Sequence, residues 1–241
     1  MLCPMTTFFY TIQPYNTRGF LSQRYPSTIY PITSANPGVD LNYIYPGYGY
    51  CHQRFPAPTK ISKAEADLTN ALRMLWEQHI AWTRMTIISM IAGLPDVDLV
   101  TQRLLRNPMD FEKALKPFYG NRIASKFSDL FKSHLVIAAE LVKSAKAGNK
   151  EAAANAEKRW YANANEIAAF LASINPYWSQ EDWKAMLHEH LALTKSEAVD
   201  ILTGNYAKGI TVYDEIEKQA LKMADVMAKG IVKQFPKNFI K

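Results

Sequence analysis

From Thr59 onward, apolar residues recur at intervals of three and four, and no stretch alternates strictly between apolar and polar. That period belongs to amphipathic helices rather than to half-buried strands. Breakers divide the region at Gly93-Leu-Pro95, Asn107-Pro108, Gly120, Gly148-Asn149, Asn175-Pro176, Gly204-Asn205 and Phe235-Pro236. The spacing predicts helices over 62–92, 97–106, 108–118, 121–147, 150–174, 179–203 and 206–234. Ser62 and Glu65 have the spacing of a capping box at the first start. Asn107 and Pro108 suit a cap and a first helical position, so the second and third pieces read as one arm interrupted there. The expectation is an all-α fold: an antiparallel up-and-down bundle over residues 59–241.

Three of the long helices carry one short pattern around a histidine: Leu75-Trp-Glu-Gln-His79, Leu130-Phe-Lys-Ser-His134 and Met186-Leu-His-Glu-His190. A glycine follows each histidine by fourteen residues, at Gly93, Gly148 and Gly204. Positions −7, −4 and +3 are apolar in all three: Leu72, Leu75 and Trp82; Phe127, Leu130 and Ile137; Trp183, Met186 and Leu193. These offsets share a helix face with the histidine, which places it in the buried stripe. Heptad periodicity does not fix helix length, so the shared glycine offset points to one helical hairpin used three times.

A residue level with each histidine on the returning helix falls 31 to 36 positions later, at about 1.5 Å of rise per residue on both legs. Asp110 and Asn165 stand 31 after His79 and His134, and Asp225 stands 35 after His190. Each hairpin is therefore expected to pair a stripe histidine with a short acidic or amide side chain, which satisfies the ring and fixes helix register. A sharper expectation has the three imidazoles converge in one layer. Imidazole and carboxylate suit a transition-metal ion such as Zn or Fe, which makes His79, His134, His190, Asp110 and Asp225 candidate ligands. Thr83 and Thr194, each four after its histidine, and Arg84 and Glu197 beside them, are further core polar candidates for a small ligand.

Residues 1–58 read differently, with eight tyrosines, eight prolines and only Arg18, Arg24, Asp40 and Arg54 charged. Prolines recur too often for a helix to run. This is expected to be an irregular arm whose tyrosines pack on the bundle or on a neighbouring chain, giving self-association. Lys and Arg number 28 against 22 Asp and Glu in 241 residues, and they are scattered along the helices rather than gathered on one face. Nucleic-acid binding is therefore not expected. No run of about 18 apolar residues could span a membrane. Cys3 and Cys51 cannot form a disulfide framework or a four-thiolate zinc site by themselves. The composition suits a soluble, cytoplasmic protein.

Motif chemistry excludes more than it assigns. The chain has no GxxxxGK[ST] loop, no GxGxxG after a strand, no HExxH and no G-x-S-x-G elbow. The helical Glu-x-x-His pairs of di-iron bundles are also missing.

Leu75-Trp-Glu-Gln-His-Ile-Ala-Trp-Thr-Arg84, Arg103-Leu-Leu-Arg-Asn107, Lys158-Arg-Trp-Tyr-Ala-Asn163, Ile174-Asn-Pro-Tyr-Trp178, His190-Leu-Ala-Leu-Thr-Lys195 and Gly230-Ile-Val-Lys-Gln-Phe-Pro236 lie within residues 68–236. In these stretches the chain resembles a family of uncharacterised helical proteins of spore-forming and related Gram-positive bacteria. Aspartate often stands in that family where this chain has Asn165. The resemblance implies an all-α fold and no particular activity. Some similar sequences are labelled acetylglutamate kinase, an α/β fold whose glycine-rich phosphate loops have no counterpart here. The tyrosine-rich arm falls outside the resemblance and has the composition of coat-protein segments. The functional expectation is a non-enzymatic bundle with a binding or structural role, its histidine layer a candidate for a metal ion or small ligand. Spore-coat or surface assembly through the arm is the alternative, and a metal-dependent enzyme stands third.

Overall fold

The structure is a computed structural model that describes residues 61–240. The arm expected over 1–58, with its self-association and Cys3 and Cys51, lies outside the described residues. Five helices follow one another: α1 (Lys63–Ala92), α2 (Val97–Lys146), α3 (Lys150–Ile174), α4 (Gln180–Leu202) and α5 (Tyr206–Gln234), then a short 3-10 turn at Pro236–Asn238. There is no strand among the described residues, and no helix there is long and apolar enough to cross a membrane.

Local chemistry sets the boundaries. The Ser62 hydroxyl accepts from the Glu65 N–H, Asn149 from Ala152 and Ser179 from Asp182, so three starts are capped by their own side chains. At the stops, the N–H of Leu94 reaches the carbonyl of Ser89, Asn149 reaches Ser144, and Asn205 reaches Asp200. Each of these six-residue closures passes through a glycine with positive φ, at Gly93, Gly148 and Gly204.

The interruption expected at Pro108 is not where the chain breaks. Helix α2 runs through Pro108 and Pro117 and turns only at Gly120, the next breaker expected, whose φ of 75° and ψ of 173° are open essentially to glycine alone. A proline lacks a donor but still tolerates helical φ, so neighbouring turns can carry it. The side chain of Asn107 faces α1 and donates to the carbonyl of Leu75, 3.0 Å away, instead of capping a new helix. The two arms of α2, 97–119 and 121–146, thus belong to different hairpins.

The result is an all-α bundle of three helical hairpins. Helix α1 packs on α2, α2 on α3, α3 on α4 and α4 on α5, while α5 returns against α1. The core is rich in edge-on aromatic contacts: Trp76 with Phe111 at 5.4 Å, Phe111 with Phe131 at 5.2 Å and Phe127 with Phe111 at 5.8 Å between ring centroids. At the end opposite the three glycine turns, the Asn175 amide donates to the Tyr119 hydroxyl, and Tyr119 donates to Gln234. Beside them, the Trp178 indole donates to the carbonyl of Val226 across the face of Gly230. Two of the motifs singled out in the sequence, 174–178 and 230–236, meet at this corner.

Candidate functional site

His79, His134 and His190 are buried, at 2%, 2% and 3% exposure, as the stripe predicts. The stripe itself is rotated from its sequence reading. Trp82, Ile137 and Leu193 at +3 are only half-buried, whereas Ile80, Leu135 and Leu191 at +1 are buried.

The partners of the rings are not those chosen by height. His134 Nδ1 lies 2.8 Å from Asn163 Oδ1, and the Asn163 amide nitrogen donates to the carbonyl of Leu130 at 3.2 Å. His190 Nδ1 lies 3.1 Å from Gln219 Oε1, and the Gln219 amide nitrogen donates to the carbonyl of Met186 at 2.7 Å. In both hairpins the amide stands 29 residues after the histidine and clamps the carbonyl four before it. Asn107 makes the same clamp on Leu75. Asn107, Asn163 and Gln219 are spaced by 56 residues, but the first return is one residue shorter, so Asn107 stands only 28 after His79.

Asp110, Asn165 and Asp225 are therefore corrected as histidine partners. Residues two apart on a helix are about 200° apart in direction, so Asn165 points away from the ring that Asn163 faces. Asn165 is exposed and pairs with His188 at 2.8 Å. Asp110 binds Arg106 at 2.9 Å and Lys113 at 3.1 Å. Partial burial pushes its carboxyl up, but those two cations hold it below the usual range. Asp225 is bound by Arg73 at 2.7 and 2.8 Å, which lowers it as well. The sequence held a signal that separates the two sets. The amides that clamp have large apolar neighbours at −3 and +4: Leu104 and Phe111, Trp160 and Ile167, Ile216 and Met223, whereas Asn165 has only Ala162 and Ala169. Asp225 has Lys222 and Lys229 there.

Hydrogen-bond logic fixes the protons. The amide nitrogens of Asn163 and Gln219 face carbonyls, so their oxygens face the rings, and His134 and His190 carry hydrogen on Nδ1. That leaves His190 Nε2 as a bare acceptor. His79 Nε2, 3.4 Å away, must then be the donor, and His79 Nδ1 is left bare. Neither His79 Nδ1 nor Asn107 Oδ1 has a protein partner. Burial drives the three rings toward the neutral form: His79 well below its ordinary value, with its histidine neighbours adding to the effect, His134 to about 3 and His190 to about 4.

Two imidazole nitrogens on one tetrahedral ion would sit about 3.3–3.4 Å apart, given metal–nitrogen bonds near 2.0–2.1 Å. The spacing of His79 and His190 matches that. However, no three His, Cys, Asp or Glu side chains among the described residues are grouped to hold a metal ion. A hydrogen bond between neutral rings accounts for the same distance.

One turn beyond this layer lies a cavity of about 70 Å³ with an almost wholly carbon wall. It is lined by the +4 residues of all three histidines, Thr83, Ala138 and Thr194, together with Thr86, Trp160 and Lys195. Thr83 spends its hydroxyl on the carbonyl of His79, at 2.7 Å. The hydroxyls of Thr86 and Thr194 and the indole N–H of Trp160 are buried without partners. Arg84 and Glu197 face elsewhere. They form an ion pair in which Glu197 is buried and Arg84 half-buried, with Arg84 stacked 4.9 Å over Tyr213. Burial raises the Glu197 carboxyl, and Arg84 opposes that shift.

No family model, curated protein or solved structure matches the chain.

Proposed function

We propose that the protein is a non-enzymatic binding bundle and that its ligand is a small molecule, largely apolar, held in the cavity beside the histidine layer. The carrying observation is the cavity itself. Protein interiors are close-packed, and an apolar pocket of this size, partly open at the surface, leaves carbon wall that a ligand would cover with dispersion contacts. The neighbouring imidazoles suit a scaffold better than a reaction centre. They are neutral at neutral pH, and two of them are clamped by amides that also bind the opposing helix. The spacing of Asn107, Asn163 and Gln219 supports reading the three hairpins as one repeated unit whose +4 positions enclose the binding space.

Xenon is a suitable first probe, because about 70 Å³ is roughly half the volume of the engineered cavity that takes benzene. A saturable xenon-129 shift is expected for the wild-type chain and is expected to vanish in Ala138→Leu, which fills the space. A response that survives Ala138→Leu, or no response from the wild type, would overturn the assignment.

A further inference from the structure

Asn107, Asn163 and Gln219 make one clamp three times, but they do not treat their histidines alike. In the second and third hairpins, holding the carbonyl four before the histidine turns the amide oxygen onto Nδ1, at 2.8 Å for His134 and 3.1 Å for His190. Asn107 holds the corresponding carbonyl, that of Leu75, at 3.0 Å, yet no bond joins its oxygen to His79. The tautomers forbid one. His79 Nε2 donates to His190, so His79 Nδ1 is a lone pair, and Asn107 Oδ1 is an acceptor too.

The centre of the layer requires this asymmetry. Were Asn107 to accept from His79 Nδ1 as its counterparts do, His79 Nε2 would be bare and would face the bare Nε2 of His190 at 3.4 Å. One of the two rings must hold the opposite tautomer. It is the ring of the first hairpin, whose return is one residue shorter.

Nine buried side-chain nitrogens and oxygens have no partner among the described residues, and four of them belong to this hairpin. His79 Nδ1 and Asn107 Oδ1 accept, whereas Trp76 Nε1 and Arg103 Nη1 donate. All four residues share one stretch of the contact between α1 and α2. Trp76 meets the His79 ring edge-on at 5.7 Å and meets Phe111, one turn beyond Asn107, at 5.4 Å. Arg103, one turn before Asn107, donates to Gln78 at 3.2 Å and lies 5.0 Å over Trp82. His79, Trp76 and Asn107 are 2%, 2% and 0% exposed. None of the four lines the apolar cavity.

We infer that one water molecule bridges His79 Nδ1 and Asn107 Oδ1, gives a hydrogen to each, and so holds His79 as the donor to His190. Water has two hydrogens to give, the number these acceptors need, and a buried water commonly makes about three bonds to groups otherwise unsatisfied. Its oxygen remains to accept from Trp76 Nε1 or Arg103 Nη1. The site flanks the layer, and the His79–His190 contact at the other ring nitrogen stays dry.

Water–protein cross-relaxation NMR on the full chain, labelled with carbon-13 in histidine, reads the site at the ring protons on Cε1. A long-lived water is expected to give a cross-peak to the His79 proton. None is expected at His190, where Nδ1 donates to Gln219 and Nε2 accepts from His79. Asn107→Leu is expected to remove the His79 peak. No peak at His79 in the wild type, or equal peaks at His79 and His190, would overturn the proposal, and both outcomes are read on the native chain even if the variant does not fold. A peak that persists in folded Asn107→Leu would also overturn it, because the water would then be held without the amide. A crystal structure supplies the geometry: an ordered oxygen within about 3.2 Å of both atoms is expected, and direct contact of His79 Nδ1 with Asn107 Oδ1 inside that distance would overturn the bridge.

Discussion

Asn163→Ala probes the layer where its geometry is most specific. Asn163 is 5% exposed, accepts from His134 at 2.8 Å and donates to Leu130 at 3.2 Å. Truncation strands the His134 N–H in a dry interior, at about 1–3 kcal/mol for an unsatisfied buried donor. Loss of the second bond costs less, because the Leu130 carbonyl keeps its place in the helix ladder. With the small void that remains, the expected destabilisation is about 3 kcal/mol. Urea unfolding at pH 7 measures it through the shift in midpoint at constant slope. Asn165→Ala is the matched control. Its side chain is exposed and bonds only His188, so it should cost less than about 0.5 kcal/mol. A loss below about 1 kcal/mol for Asn163→Ala, or equal losses for the two variants, would refute the clamp.

Further outcomes follow from the same coordinates. The folded-state values of the histidines lie below the unfolded value near 6.5, so the unfolded chain binds more protons at acid pH. The stability these rings contribute is complete above about pH 6.5 and is lost as pH falls toward 4 and 3. Unfolding free energies from denaturant titration should drop steeply between pH 6.5 and 5, by about 2 kcal/mol per ring, and a flat profile would count against burial. A Cβ on Gly230 would lie 1.9 Å from Trp178 Nε1, so Gly230→Ala should displace the indole and cost about 3 kcal/mol in calorimetric stability. Gly209→Ala meets Asp200 Cβ at 3.6 Å and Ile201 Cγ1 at 3.8 Å, both ordinary contacts, inside a helix and should be neutral or stabilising by up to about 1 kcal/mol. Gly120→Ala meets nothing within 4 Å, so any loss, expected at about 1–3 kcal/mol, reports backbone strain alone.

Much of the fold was legible in the sequence because local signals and the helical period agree. The Ser62–Glu65 cap, the three glycine turns and the burial of His79, His134 and His190 were all readable from spacing. Pro108 misled because a proline marks a break only when nothing outside the helix holds the chain straight. Here Asn107 ties that segment to α1, and the chain turns only at Gly120, where a break was also expected. The site was half-legible. Counting rise along two legs put the partner 31 to 36 positions on, whereas the observed partners stand 29 after their histidines; in the second hairpin two residues of error turned the choice from Asn163 to Asn165. Side-chain size at −3 and +4 would have decided it, since Asn163 has Trp160 and Ile167 there and Asn165 only Ala162 and Ala169. The cavity was not legible. It arises where Thr83, Ala138 and Thr194 from separate helices leave unfilled volume, and no single helix reveals that sum.

The central claim is that three neutral imidazoles, held in fixed tautomers, form a dry layer in the middle of the bundle. Long-range proton–nitrogen NMR of the histidine rings at pH 7 tests it directly. The account predicts Nδ1–H rings for His134 and His190, an Nε2–H ring for His79, and no change in any of the three down to about pH 5 while the chain stays folded. Rings that titrate near pH 6.5, or tautomers that interchange as they do in water, would contradict it.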